Sequence, residues 1–589
     1  PAGEWLMDNF YLVEEHIRSA KIHFPKDYSE DLPQLATGAS DGLTRIYDIA
    51  LKIISHSDGR IDLDNLSGFI NAYQSVHTLK MGELWAIPIM LRLALIENLR
   101  RVSVRIAIDR VDSNLADYWA KQMIETADKN PKDLILVIAD MARSNPPMVS
   151  AFVSELTRQL RGKGPDLGLS LNWIEQQLSE TGLTSMEMIN AEIQKQAADQ
   201  VSMSNSIGSL RFLGGLDWRD FVETHSIVEQ HLRKDKTYAC MDFSTRDRYR
   251  HVVEHIAKKS DKTEAEVATI ALTLSNRTML NDESDNRESH VGYFLIGEGA
   301  EQTKKQANMR VPLAQQVRNV LKKNYFSIYL FSITFITAVI TCCILIRAYQ
   351  DTHNYWLLSV IGVLSAICTS QLSISVVNFY STLWVHPHLL PRMDFSKKIP
   401  SEFNTMVVVP AMLSGQEEIE TLIEALEVRF LANRNENLHF GLVTDFIDAT
   451  TETLPEDDAL VELAQQKIKA LNRKYTRDKN DLFFLFHRPR KWNPKENAWM
   501  GYERKRGKLS ELNALLQGEQ NNFSIVVGDL SVLPQLKYVI TLDADTQLPL
   551  GTAWKMVGTM AHPLNRPWYD LQKKRVTKGY GILQPRVTS

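Results

Sequence analysis

YVITLDADTQLPLG, residues Tyr538–Gly551, joins a short apolar run to two aspartates that are separated by one residue. The apolar run is typical of a strand buried on both faces of a parallel sheet. Asp543 and Asp545 follow that strand directly, so both carboxylates are expected in the crevice at its carboxyl end. A hard cation such as Mg²⁺ or Mn²⁺ prefers carboxylate oxygens and often shares them with substrate phosphates. The stretch therefore predicts an α/β sheet with a metal-binding edge.

Three earlier segments have the same strand pattern and alternate with helical sequence. They are NTMVVVPAM at 404–412, HFGLVTDFID at 439–448 and DLFFLFHRPR at 481–490. GQEEIETLIEALEVRFLANR, between the first two, has the pattern of a helix. Alternating strands and helices predict an α/β sheet whose ligands gather at the carboxyl ends of the strands. A lone Asp-x-Asp is weak evidence for a metal site, but its place in this unit strengthens it.

Charge and cysteine usage exclude several classes of protein. Among 589 residues, 67 basic side chains stand against 71 acidic ones, so the chain lacks the basic footprint of a nucleic-acid-binding protein. The four cysteines fit neither a disulfide framework nor the spacing of zinc ligands. The first residues lack the pattern of a signal peptide, and the chain is expected to begin inside a longer protein.

Residues 1–310 show the spacing of amphipathic helices and little alternation of the strand type. In FYLVEEHIRSAKIHF, for example, Phe10, Val13 and Ile17 recur at three- and four-residue steps. We interpret this region as a cytoplasmic α-helical domain. Its charged stretches, such as STRDRYRHVVEHIAKKSDKTEAE, are most simply the solvated faces of helices. A docking surface for a catalytic domain is the alternative.

Two uncharged runs, residues 325–346 and 355–379, are each long enough to cross the hydrocarbon core of a bilayer. Buried core helices are the alternative, but neither run has a polar face. We therefore interpret residues 325–380 as two transmembrane helices with a short periplasmic connector. Positive charge concentrates outside the pair, which predicts that the helical domain and residues 400–589 are cytoplasmic. The charges are Lys304, Lys305, Arg310, Arg318, Lys322, Lys323, Arg392, Lys397 and Lys398, against Arg347 in the connector.

VVVPA followed by Glu417 and Glu418, then VTD, GKLSELNALL and TLDADTQLP, resemble the inverting GT-A glycosyltransferases that use nucleotide sugars. Longer segments are similar to the bacterial cyclic β-1,2-glucan synthases. They are PAGEWLMDNFYLVEEHIR, MDFSTRDRYRHVVEHIAK, WNPKENAWMGYERKRGKLSELN, MVGTMAHPLNRP and GYGILQPRV. The resemblance covers nearly the whole chain. It implies an inner-membrane enzyme that makes and cyclises β-1,2-glucan from UDP-glucose, with residues 400–589 as part of its GT-A domain.

The resemblance also implies a role for each matching residue. Asp445, at the end of the second strand, would bind uracil, and Lys508 would approach the diphosphate or uridine of the donor. Asp543 would face the ribose and the sugar, and Asp545 would bind the metal, Mg²⁺ or Mn²⁺. The expected partners are UDP-glucose, a growing β-glucan acceptor and the lipid bilayer.

Simpler structural roles stay open for several side chains. Asp445 could be an ordinary strand-end aspartate that hydrogen-bonds its own loop. Lys505 and Arg506 could add positive charge against the diphosphate, although at least one of them is expected to belong to a solvated basic loop. We interpret His487 and His562 as structural rather than catalytic.

An inverting transfer needs a carboxylate that takes the proton from the attacking hydroxyl. After Asp545 the sequence holds only one acidic residue, Asp570, and its setting does not resemble the motif that supplies this base. The catalytic base is therefore expected beyond Ser589, and we expect the 589 residues alone not to polymerise glucose. The closing GYGILQPRVTS is predicted to be a strand.

Two other functions remain compatible with the sequence. The chain could be a non-catalytic membrane scaffold whose transferase unit is degenerate, or part of a synthase of another β-glycan. The four intact residues Asp445, Lys508, Asp543 and Asp545 favour an enzyme, because a decayed site is expected to lose at least one of them. The choice of glucose and of the β-1,2 linkage rests on the resemblance alone.

Overall fold

The structure is a computed structural model that describes residues 2–23, 30–38, 40–279, 287–310, 324–384, 389–475, 481–520 and 522–585. Packing of the backbone divides the chain into two compact units, Pro1–His231 and Leu232–Ser589. The sequence pattern predicts that the helical domain ends at about residue 310, whereas the boundary between the two packed units falls after His231. The described residues between 232 and 310 thus pack with the unit that contains the sheet. Three of the predicted flanking charges, Arg318, Lys322 and Lys323, lie outside the described residues.

The first unit is α-helical in its described part. Its helices are α1 (Ala2–Asp8), α2 (Phe10–His23), α3 (Arg45–His56), α4 (Leu63–Gln74), α5 (Met81–Lys129), α6 (Leu134–Ser144), α7 (Ser150–Leu160), α8 (Gly168–Ser179), α9 (Ser185–Gly215), α10 (Trp218–His225) and α11 (Ile227–Leu232), the last of which ends one residue past the boundary. The predicted helix at Phe10 is α2. Apolar faces of α5, α6, α7 and α8 form one core around Phe152 and Leu156.

The local sequence explains where two of these helices begin and end. Thr184 caps α9 by accepting a hydrogen bond from the Glu187 amide, and Glu187 bonds back to the Thr184 amide. This capping box satisfies two amides that have no partner within the helix. Helix α6 ends at Asn145, whose φ of 46° is left-handed, a conformation that asparagine tolerates better than most residues.

The second unit combines short helices, two long apolar helices and a sheet. Its helices are α12 (Lys236–Ala239), α13 (Phe243–Lys258), α14 (Glu264–Met279), α15 (Val291–Leu295), α16 (Ala300–Gln306), α17 (Tyr325–Asp351), α18 (Tyr355–Trp384), α19 (Gln416–Ala432), α20 (Asp457–Tyr475), α21 (Arg504–Leu516) and α22 (Thr552–Ala561). Its strands are β1 (Thr405–Leu413), β2 (Leu438–Phe446), β3 (Phe483–His487), β4 (Lys491–Asn493), β5 (Ala498–Met500), β6 (Ile525–Val527), β7 (Tyr538–Thr541), β8 (Trp568–Asp570) and β9 (Arg575–Lys578).

The main sheet has five strands in the order β6-β3-β2-β1-β7. The four predicted strands are β1, β2, β3 and β7, and neighbours among them pair in parallel, whereas the short edge strand β6 is antiparallel. Alternate residues of β1 enter different cores. Val407 and Val409 pack with α19, α20 and α22, while Met406 and Val408 pack on the side of α21. Burial on both faces explains why β1 is apolar without a break.

Helices α17 and α18 match the two predicted apolar runs. Their most apolar windows have mean hydropathies of 2.4 and 1.9, and only 0% and 11% of the residues in those windows are buried. By length and composition, each helix can cross a membrane. The two helices pack against each other through paired hydroxyl groups, Thr337 with Ser373 and Thr341 with Thr369.

The strand predicted for GYGILQPRVTS does not form across its described part, residues 579–585. Its one backbone hydrogen bond outside helices and strands runs from the Tyr580 amide to the Asn565 carbonyl, at 2.9 Å. The apolar side chain of Ile582 is 89% exposed. The segment follows the two-stranded β8–β9 hairpin. Among the described residues no strand lies beside it, so its apolar side chains are not part of a sheet.

Candidate functional site

Asp445 lies at the carboxyl end of β2, and its carboxylate is buried. Lys508, in the second turn of α21, is also buried, and its ammonium donates hydrogen bonds to Asp445 Oδ1 at 2.7 Å and to the Ala411 carbonyl at 2.6 Å. Ala411 is near the end of the neighbouring strand β1. Lys508 therefore links the carboxyl ends of β1 and β2 through hydrogen bonds. Burial lowers the pKa of Lys508, and the nearby Asp445 carboxylate opposes that shift.

Arg488 completes this cluster, although the sequence did not single it out. Its Nη2 donates to Asp445 Oδ2 at 3.1 Å and to the carbonyls of Tyr502 and Arg504 at 2.9 and 2.8 Å. Asp445 thus lies between two cations. Arg488 directly follows the last residue of β3, so the HRPR sequence after a buried strand was the available signal.

Gly501 allows the loop before α21 to lie directly over Asp445. A Cβ atom at residue 501 would come within 2.1 Å of Asp445 Oδ2, which is far inside van der Waals contact. Any side chain at this position would push the loop away from the buried carboxylate. The glycine in WMGYERKRGK is therefore required by the close approach of the backbone.

Asp543 and Asp545 occupy the turn after β7 and are both exposed. The Thr546 amide bonds to the Asp543 carbonyl at 3.0 Å and closes the turn. The buried Arg429 of α19 braces the same turn by donating to the carbonyls of Ala544 and Thr546. Asp543 and Asp545 are therefore exposed to solvent, and hydrogen bonds from Arg429 hold the backbone of their turn in place.

Strand β1 brings both groups of residues to one edge of the sheet. It pairs with β2 so that Met412 lies opposite Asp445, and with β7 so that Val408 lies opposite Thr541. The carboxyl ends of all three parallel strands therefore open into the same crevice. On α21, Lys505 forms an ion pair with Asp543 and lies one turn before Lys508. The four predicted site residues are thus brought to one edge, two of them buried and two exposed.

Comparison with known proteins gives one clear relationship. No protein-family model matches the chain. Over 592 aligned positions the chain is 33% identical to the cyclic beta-(1,2)-glucan synthase NdvB of Rhizobium meliloti (strain 1021). The resemblance to cyclic β-1,2-glucan synthases is confirmed. The alignment covers 100% of this chain and 21% of the glucan synthase, so the chain spans about a fifth of the length of that relative.

The exposed carboxylates of the turn have the chemistry to hold a divalent cation together with the phosphate oxygens of a ligand. The described residues contain no group of three or more histidine, cysteine or carboxylate side chains that could hold a metal by themselves. Asp543 and Asp545 instead offer exposed carboxylates from one turn, and the Lys505 ammonium already places a positive charge on Asp543. Mg²⁺ commonly binds through one or two carboxylates plus phosphate oxygens. The two carboxylates of the turn are compatible with that mode of binding.

The two histidines noted in the sequence lie in the interior. His487 accepts or donates a hydrogen bond at Nδ1 with Thr444 Oγ1, 3.0 Å away, and burial lowers its pKa to about 4. His562, at the end of α22, bonds through Nε2 to the Tyr249 hydroxyl at 3.3 Å, and burial holds its pKa well below the usual value. Neither imidazole lies beside the acidic turn.

Proposed function

We propose that this chain carries the nucleotide-sugar donor site of a glycosyltransferase that builds β-1,2-glucan from UDP-glucose. The observation that supports this most is the arrangement at the carboxyl edge of the sheet. A buried carboxylate held between Lys508 and Arg488 lies at the same edge as the exposed pair Asp543 and Asp545. The first group suits recognition of a base, and the second suits a metal-bound diphosphate.

The buried cluster matches the hydrogen-bonding edge of uracil. That edge presents one N–H donor between two carbonyl acceptors. Asp445 retains lone pairs beyond those used by Lys508 and Arg488, so it can accept from the N–H. Lys508 has a third N–H beyond the two that it donates to Asp445 and Ala411, and it can donate this one to a carbonyl group. In this proposal Asp445 and Lys508 bind the donor nucleotide.

Asp543 and Asp545 would hold Mg²⁺ or Mn²⁺, which neutralises the charge that develops on the diphosphate leaving group. Arg429 keeps the turn that carries them in place. We assign no catalytic base to this chain. Asp570, the acidic residue after Asp545, lies on β8 in a separate hairpin and pairs with Lys573. This proposal is therefore limited to donor binding and leaves acceptor activation unassigned.

We further propose that α17 and α18 anchor the site in the bacterial inner membrane. Their length, apolar composition and exposed surface support two spans. The excess of basic residues outside the pair supports a cytoplasmic location for both ends. A donor site on the cytoplasmic side would meet UDP-glucose where nucleotide sugars are made.

Calorimetric titration of UDP and UDP-glucose into detergent-solubilised protein, with and without Mn²⁺, tests this function. We expect binding that requires Mn²⁺ and that is lost in Asp545→Ala. Asp570→Ala is the matched control, because it removes a carboxylate from outside the site. The absence of UDP binding under all conditions would contradict the proposal and favour a membrane scaffold. Equal affinity for UDP-galactose would favour a synthase of another glycan.

A further inference from the structure

Lys505 forms an ion pair with one aspartate of the exposed pair. Its ammonium contacts Asp543 Oδ1, and the two side chains are 52% and 58% exposed. Asp545 is exposed, and its carboxylate lies near enough to the Arg429 guanidinium to oppose the lowering of the Arg429 pKa by burial. The pair is therefore asymmetric, with one carboxylate neutralised by a lysine and the other facing solvent.

The backbone before α21 is held in an uncommon conformation that directs Lys505 toward this turn. Glu503 and Arg504 have φ angles of 54° and 47°, in the left-handed region that non-glycine residues avoid. Residues in this conformation are strained and persist where surrounding contacts fix them. Arg488 supplies those contacts by binding the carbonyls on either side of Glu503.

The backbone of this loop is also closely packed at Gly507, which leaves no space for another backbone conformation there. A Cβ at Gly507 would come within 2.1 Å of the Tyr502 carbonyl oxygen, and the Gly507 amide bonds to the Glu503 carbonyl at 3.1 Å. Helix α21 therefore starts at a defined point with Lys505 in its first turn. Arg506, the next residue, is 85% exposed and pairs with Glu503 instead. Of the two neighbouring cations, only Lys505 reaches the acidic pair.

We propose that Lys505 is a placeholder cation, which neutralises Asp543 in the donor-free protein and is displaced when a divalent cation and a nucleoside diphosphate bind together. This inference rests on the proposed donor site and adds that the divalent cation and the nucleotide bind to it cooperatively. An exposed ion pair contributes at most about 1 kcal/mol, so a divalent cation held by two carboxylates and a phosphate can displace it. The released Lys505 ammonium then pairs with the negatively charged diphosphate of the bound nucleotide.

Metal and nucleotide binding are therefore coupled through Lys505. Without nucleotide, the metal must displace the lysine and leave its ammonium without a partner anion. With nucleotide, the phosphates supply a new partner. Because coupling between two ligands is reciprocal, Mn²⁺ tightens UDP binding by the same factor as UDP tightens Mn²⁺ binding. Removal of Lys505 should reduce this factor.

The test is Mn²⁺ binding to the full chain in detergent micelles, measured as the loss of the free-ion electron paramagnetic resonance signal, with and without UDP. We expect Lys505→Ala to bind Mn²⁺ alone up to about fivefold more tightly than the unmodified chain, the limit set by an exposed ion pair. In the presence of UDP that advantage should disappear or reverse. Arg506→Ala is the matched control, since it removes the same charge from the adjacent residue and should change neither affinity.

The outcomes separate the two proposals. If the unmodified chain binds Mn²⁺ and UDP cooperatively and Asp545→Ala does not, the donor site stands. In that case, an unchanged or weaker affinity of Lys505→Ala for Mn²⁺ alone would overturn the placeholder role. An equal gain in Arg506→Ala would overturn it too, because the effect would then be one of net charge. If the unmodified chain binds no Mn²⁺ even with UDP, both proposals fail.

Discussion

Asp445, Lys508 and Arg488 form a buried cluster in which the Asp445 carboxylate contacts two cations, and Arg488 also pairs with Glu511 at 3.4 Å. Buried charges are costly unless each has a partner, so the removal of one member leaves an uncompensated group in the interior. Asp445 accepts from both cations, whereas Lys508 depends on Asp445 and the Ala411 carbonyl. The cluster therefore contributes to stability, and in the proposed donor site the same atoms would bind the nucleotide.

Lys508→Met should lower the free energy of unfolding by about 3 kcal/mol and weaken UDP binding, because Asp445 loses one of its two buried partners. Chemical unfolding followed by tryptophan fluorescence measures the first effect and calorimetry the second. The matched control is Lys467→Met, which removes an exposed ion pair with Glu420 and should cost less than about 1 kcal/mol. A similar loss in both variants would argue against a special role for the buried pair.

Gly501→Ala should disrupt the cluster without changing any charge. The new Cβ would lie 2.1 Å from Asp445 Oδ2, so either the loop or the carboxylate must move. We expect weaker UDP binding and a lower melting temperature. Gly415→Ala, where the added Cβ meets open space, is the control. Unchanged UDP affinity in Gly501→Ala would show that the loop does not need its close approach to Asp445.

Single elements of the second unit connect parts of the chain that are distant in sequence. Strand β1 pairs with β2 on one side and β7 on the other, and so aligns Asp445 with the acidic turn. Helix α19 braces that turn through Arg429. Helices α17 and α18 depend mainly on each other, since most of their remaining surface is exposed.

The hydroxyl pairs between α17 and α18 should stabilise the helical hairpin in a membrane environment. Thr341 and Thr369 are joined by a hydrogen bond of 3.1 Å between their hydroxyl oxygens. Interhelical bonds of this kind contribute about 0.6 kcal/mol on average. A double-mutant cycle of Thr341→Val and Thr369→Val, unfolded in mixed micelles, should give a coupling energy of that order. Thr334→Val is the control, because Thr334 bonds within its own helix. A coupling of zero would show that the pair is not formed in the membrane.

At the scale of the whole second unit, residues 232–310 pack on the sheet domain through buried polar contacts. Asp242 pairs with Arg392 at 2.6 Å, and Tyr249 lies between His290 and His562 at 3.4 and 3.3 Å. Because the Leu564 amide donates to His562 Nδ1, the imidazole proton is on Nε2 and points to the Tyr249 hydroxyl. The histidine is therefore neutral where the two parts meet.

Acid should destabilise this unit in a way that depends on His562. Burial holds the pKa of His562 well below the usual value of 6.5, so below pH 6.5 the unfolded chain takes up a proton that the folded one does not. The stabilisation is complete above pH 6.5 and decreases as the pH falls toward the folded pKa. We expect the melting temperature to fall between pH 7.5 and about 5, and to fall less steeply in His562→Asn. His77→Asn, on an exposed imidazole of the first unit, should leave the slope unchanged. An equal slope in all three proteins would contradict the prediction.

The sequence alone determined the elements whose signals are local and strong. The two apolar runs form α17 and α18, and the four strand patterns form β1, β2, β3 and β7. Burial on both faces explains the apolar runs of β1, β2 and β3. Strand β7 lies at the edge of the sheet and only Ile540 of its four residues is buried, so the prediction that it is buried on both faces was wrong. The sequence also placed Asp445, Asp543 and Asp545 at one edge, since parallel strands end at the same edge, whereas Lys508 was singled out by the resemblance to GT-A glycosyltransferases. Strand β6 was missed because a three-residue edge strand carries almost no pattern.

Only the tertiary structure decided which side chains meet. Neither the position of Arg488 between Asp445 and the loop of Tyr502 nor the contact of Lys505 with Asp543 follows from spacing along the chain. The described residues between 232 and 310 contact the sheet part of the unit through groups that are distant in sequence, such as Tyr249 and His562, which are 313 residues apart. Such contacts depend on how the elements pack, and hydrophobic periodicity reports which face of an element is buried but not which element covers it.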